Sequence, residues 1–117
     1  MQDLILELRQ ARNQLAECIT AYKHVGRQLA ESERKYRISL RKEILRLKVD
    51  GPEEKDAGPV AWTVCGDIAR GHDEVAKLRF ERDIRKADYD VCYEKILQLK
   101  TEIRLIEGEM SAVRRGE

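Results

Sequence analysis

The sequence predicts an all-α protein: a long antiparallel helical hairpin of coiled-coil type, with a short capping helix at the turn and dimerisation into a four-helix bundle. Three observations lead there. Apolar side chains recur every three or four positions through residues 3–49 and again through 74–114, the spacing of a coiled-coil seam. Both prolines and four of the seven glycines fall between those stretches, so the chain doubles back there. Charged residues make up 38% of the 117 positions and aromatics only 5%, which is lean for a compact globule and suits long helices.

The first helix is assigned to residues 1–49. Its seam runs Leu4, Leu8, Ala11, Leu15, Cys18, Tyr22, Val25, Leu29, Tyr36, Leu40, Ile44 and Leu47. A helix of about 45 residues is roughly 70 Å long, and a lone pair of such helices leaves much apolar surface wet. A flanking stripe of Ile5, Ile19, Ala30, Ile38, Leu45 and Val49 strengthens the expectation of self-association. The steps from Tyr36 to Leu40 to Ile44 are four and four, a stutter that locally unwinds a supercoil and marks a place where a third element packs.

Residues 50–73 form the connector. Asp50, Gly51 and Pro52 end the first helix, because glycine supplies the turn and proline forbids continuation. Residues 53–58 read as a polar loop. A short amphipathic helix follows at about 64–70, with Thr63 as N-cap, Val64 and Ile68 on its packed face and Gly71 as its stop. Its expected role is to plug the end of the bundle and bury Trp62. His72, Asp73 and Glu74 open the last helix, the acids complementing its positive end.

That helix is assigned to 74–114. Its seam reads Phe80, Ile84, Ala87 and Val91, changes register, and continues as Cys92, Ile96, Leu99, Ile103, Ile106, Met110 and Val113. Tyr89, Tyr93 and Leu97, four apart, make one flank patch, and with Ile38 and Leu45 they form the expected dimer interface. Gly26 and Gly108 lie inside the long helices, each costing about 1 kcal/mol relative to alanine; of close helix approach and exposed defect, the second is the favoured reading.

Charge is polarised along the chain. Residues 1–49 hold eleven basic side chains against six acidic ones, whereas residues 50–74 hold two against seven. Arg34, Lys35, Arg37, Arg41, Lys42, Arg46 and Lys48 crowd one stretch, and the hairpin brings Lys77, Arg79, Arg82, Arg85 and Lys86 alongside. One outcome is charge registry, with Asp50, Glu53, Glu54, Asp56, Asp67, Asp73 and Glu74 folded back on this basic stem. Another is a nucleic-acid surface, against which the absence of interleaved aromatics counts. An acidic protein partner is the third.

Catalysis is not expected. Cys65 and His72 could form a nucleophile pair only with an orienting third group, and none accompanies them. Residues 66–71 lack the GxxxxGK[ST] spacing of a phosphate loop. Asp83, Asp88, Asp90 and Glu94 have no histidine partners, so neither metal nor cofactor is anticipated. Cys18, Cys65 and Cys92 are an odd number without CxxC, which argues against a disulfide framework or zinc. No window approaches a membrane span, and the start MQDLILELRQARNQ lacks the pattern of a signal peptide, so the cytoplasm is the expected compartment.

Residues 31–110 resemble a group of small coiled-coil proteins encoded by phages and prophages of Gram-positive bacteria. Tyr36-Arg37, Asp67-Ile68-Ala69-Arg70-Gly71 and the run at 75–80 carry the resemblance most specifically. It implies a phage origin and residence in the host cytoplasm, and it implies no activity. The function expected on this footing is that of a non-enzymatic accessory protein binding a host or phage protein, inhibition of a host or defence protein included. The binding surface would comprise Arg34, Lys35, Arg37, Arg41, Lys42, Arg46, Trp62, Asp67, Arg70, Arg82 and Lys86. The alternatives are a nucleic-acid-associated factor in replication or recombination, and a structural or assembly scaffold.

Overall fold

The computed structural model describes residues 1–51 and 61–116 and contains three helices: α1 (Gln2–Asp50), α2 (Trp62–Arg70) and α3 (Asp73–Gly116). Two long helices with a short one between them are the predicted helical hairpin. The expected loop at 53–58, with Pro52, lies outside the described residues. Contacts divide the chain into two units, Met1–Gly26 with Ala87–Glu117, and Arg27–Lys86.

Each helix end has a local cause. Gly51 closes α1 with φ +78°, a left-handed conformation natural to glycine, and donates its N–H to the Leu47 carbonyl. α2 begins earlier than predicted. Ala61, in extended conformation, is its N-cap and its carbonyl takes the first helical bond from Cys65, so Thr63 lies within the first turn instead of capping it. Gly71 and His72 donate to the last carbonyls of α2, and the His72 carbonyl accepts from Ala76. Asp73 and Glu74 thus stand in the first turn of α3, at the positive end of its dipole.

In the first unit the early part of α1 pairs antiparallel with the later part of α3. Ala11, Ile96, Leu99 and Met110 are buried, and Leu4, Leu8, Leu15, Cys18, Val25, Cys92, Ile103 and Ile106 are half-buried between them. Tyr22 stacks on Tyr89 with ring centroids 4.4 Å apart, and its hydroxyl donates to that of Tyr89. Gly26 lies against the same ring: a Cβ there would stand 3.3 Å from Tyr89. It is therefore a place of close approach, contrary to the exposed defect predicted; Gly108 does face open space.

In the second unit the later part of α1 carries two files. Ser32, Tyr36, Ser39, Glu43 and Arg46 continue the heptad, while Leu40, Ile44 and Leu47 pack against Cys65 and Ala69 of α2. The expected stutter after Tyr36 is thus the start of a second file, which meets α2, while the heptad itself runs on unbroken. The packed face of α2 is not the predicted one, however. Cys65 and Ala69 are fully buried, and Val64 and Ile68 are exposed, because the narrower residues let the two helix backbones approach.

The register of α3 also differs from expectation. Its covered residues are Val75, Leu78, Arg82, Arg85, Tyr89, Cys92, Ile96, Leu99, Ile103, Ile106 and Met110, alternating steps of three and four without a break. Phe80, Ile84, Ala87 and Val91 are exposed, as is Val113. Two arginines occupy seam positions that an apolar count passes over. Arg82 can do so because its guanidinium lies 4.6 Å from the Tyr36 ring centre and meets Glu33 at 3.4 Å.

Candidate interaction surface

The basic stem is sorted by its partners. Arg34 pairs with Glu31, Arg37 with Glu33, and Arg46 with Glu43, each three or four residues away on α1. Arg82 adds Asp83 at 2.9 Å, and Arg70 pairs with Asp67 within α2. Charge registry is present, but Asp67 is satisfied inside α2, and the acids that neutralise the stem are Glu31, Glu33, Glu43 and Asp83. Short side-chain reach favours these neighbours over acids in the connector. Glu53, Glu54 and Asp56 lie outside the described residues.

Glu43 is the buried member of this set. Its carboxylate takes three hydrogen bonds from Arg46, and the His72 ring nitrogen stands 3.9 Å away. The Arg46 bonds hold its carboxyl below the usual range against the opposing effect of burial, with His72 adding to the depression. Glu33 is lowered first by its bond from Arg37, and Glu31 by its bond from Arg34. The Glu31 pair is exposed and Glu33 only half-buried, so solvent screens both and neither adds much to stability.

Sorting leaves an outer band on α1. Arg34, which keeps its pair with Glu31, is exposed there together with Lys35, Arg41 and Lys42, and between them Ile38 and Leu45 expose 42% and 43% of their surface. Arg41 and Lys42 have no ion pair among the described residues. The remaining predicted residues scatter. Arg37, Arg46 and Arg82 are engaged as above, and Lys86 is exposed on α3. Trp62 is 56% exposed with the Lys48 ammonium 5.0 Å above its ring, so it does not plug the bundle: Leu47, Cys65 and Ala69 fill that space.

The predicted dimer residues divide as well. Tyr89 is held by Tyr22 within the chain, since it sits on the true α3 seam; Tyr93 and Leu97 remain exposed. What sequence reasoning missed is the outer line Phe80, Ile84, Ala87 and Val91, which it placed on the seam. The signal that identifies it is acidic flanking, described below.

Other chemistry has little footing. Cys65 is closed to solvent, and among the described residues no group of three or more His, Cys, Asp or Glu is arranged to hold a metal ion. A shallow furrow in the first unit brings Glu7, Glu102 and Glu109 around Ala11 and Ile106, a set of carboxylates without a base or nucleophile of other type. No described helix is long and apolar enough to cross a membrane. No family model, curated protein or solved structure matches the chain.

Proposed function

We propose that this chain is a non-catalytic interaction protein, a phage accessory factor of the bacterial cytoplasm, that binds a protein partner through the outer band of α1 in the second unit. The observation that carries the reading is the exposure of Ile38 and Leu45 inside a frame of Arg34, Lys35, Arg41 and Lys42. Apolar residues one heptad apart between basic files fit a helix with an apolar line and acidic borders. Phosphates would use the basic files and leave Ile38 and Leu45 against charged backbone, with no aromatic beside them for stacking; this favours protein over nucleic acid. The phage origin rests on the resemblance of residues 31–110, and blocking a host or defence protein is the action such a binder would have.

The test is affinity capture from bacterial lysate, with and without nuclease, comparing the wild type with Arg41→Glu/Lys42→Glu. The expected result is a partner recovered equally after nuclease and lost with the variant. Recovery that collapses on nuclease treatment, or that ignores the variant, overturns the reading.

A further inference from the structure

The outer band of α1 and the outer line of α3 match in period and oppose in charge. With Tyr36, Ser39, Glu43 and Arg46 as the first and fourth heptad positions of α1, Ile38 and Leu45 occupy the third. Arg34, Arg41 and Lys48 form the file on one side of them, and Lys35 and Lys42 the file on the other. On α3 the seam residues Arg82, Arg85, Tyr89 and Cys92 put Phe80, Ile84, Ala87 and Val91 on the opposite side. Phe80 and Val91 there are 64% and 68% exposed. That line is bordered by Glu81 and Asp88 on one flank and by Asp83 and Asp90 on the other, all exposed.

We propose that the acid-bordered line of α3 in one copy docks on the basic-bordered band of α1 in a second copy. This rests on the reading of the α1 band as a protein-binding surface and names the chain itself as an occupant. Charge complementarity selects it: each apolar line is framed on both flanks, basic on α1 and acidic on α3, so either helix direction brings opposite charges together. A like pairing, α1 on α1 or α3 on α3, would oppose charges of one sign. The two surfaces are different, so the contact is heterologous, and a copy that receives at α1 can still give at α3.

Sedimentation velocity of the purified full chain across a dilution series tests it. Association of the wild type is expected to weaken about tenfold or more in Lys35→Glu/Lys42→Glu and, separately, in Glu81→Lys/Asp88→Lys. Phe80→Ser, which leaves every charge in place, should weaken it as well. Mixing the two charge-reversed chains should restore association, because the unaltered α1 of one then meets the unaltered α3 of the other. A wild type that stays monomeric at every concentration, or a mixture no more associated than its components, overturns the proposal. A monomeric chain that still captures a partner through Arg41 and Lys42 would overturn only the self-docking and leave the protein-binding reading standing.

Discussion

Tyr22 and Tyr89 show how one polar contact can sit inside an apolar seam. Stacking covers both rings, and the bond between hydroxyls satisfies the polar ends that burial would otherwise leave at a cost. The bond to Tyr89 pushes the Tyr22 phenol up to about 12, with burial and nearby Tyr and Asp oxygens acting in the same direction. A folded value above the ordinary 10 means the proton is held more tightly when folded. The stabilisation from this phenol is therefore full below pH 10 and is lost as pH rises from there through about 12. Tyr89→Phe removes the acceptor, and tyrosinate absorbance should then show one phenol titrating closer to 10 than in the wild type. An unchanged titration curve would refute the assignment. Gly26 belongs to the same cluster, since its missing side chain is what gives the Tyr89 ring its place.

At the scale of elements, α2 is nine residues long, shorter than a helix that is stable alone, and is held by the face it turns to α1. Cys65 and Ala69 have no exposed surface, so nothing larger fits without displacement. Ala69→Leu is expected to cost about 1–3 kcal/mol by overpacking, and to shift Trp62 fluorescence as its ring leaves Lys48. A variant with wild-type Tm and an unmoved emission maximum would show that the contact with Leu47 is not what holds α2. The register of α3 teaches a related lesson. From Cys92 onward its seam was legible because apolar residues occupy nearly every position of it. Before Cys92 the seam holds Arg82 and Arg85 while the outer line holds Phe80, Ile84 and Val91, so counting apolar residues selects the wrong side. Only the partners across the interface, Tyr36 and Glu33, explain why Arg82 occupies a half-buried seam position.

For the whole molecule, the hairpin was legible because its evidence is redundant: two long periodic stretches, and a connector holding both prolines. The candidate surface was legible in composition but not in membership. Which basic residues remain available depends on which acids lie within reach: Glu31, Glu33 and Glu43 engage Arg34, Arg37 and Arg46 along α1, and Glu33 also meets Arg82 across the helix pair. Trp62 was misplaced for a different reason: its rank as the largest apolar residue suggested a buried plug, whereas the space under α2 is narrow and goes to Cys65 and Ala69.

The division of contacts between the two units carries a consequence for the route by which the chain folds. Leu47 meets α2 across a short separation in sequence, while Tyr22 meets Tyr89 across 67 residues and Arg12 meets Glu107 across 95. Closing the longer loops costs more chain entropy, although each doubling adds only about 0.6 kcal/mol. Contacts near the turn should thus form first and bring the distant ends together for the rest. Stopped-flow measurements on Leu47→Ala and Tyr89→Phe would expose the order. The first should slow folding and the second should chiefly hasten unfolding; the reverse pattern would mean that the hairpin closes from its open end.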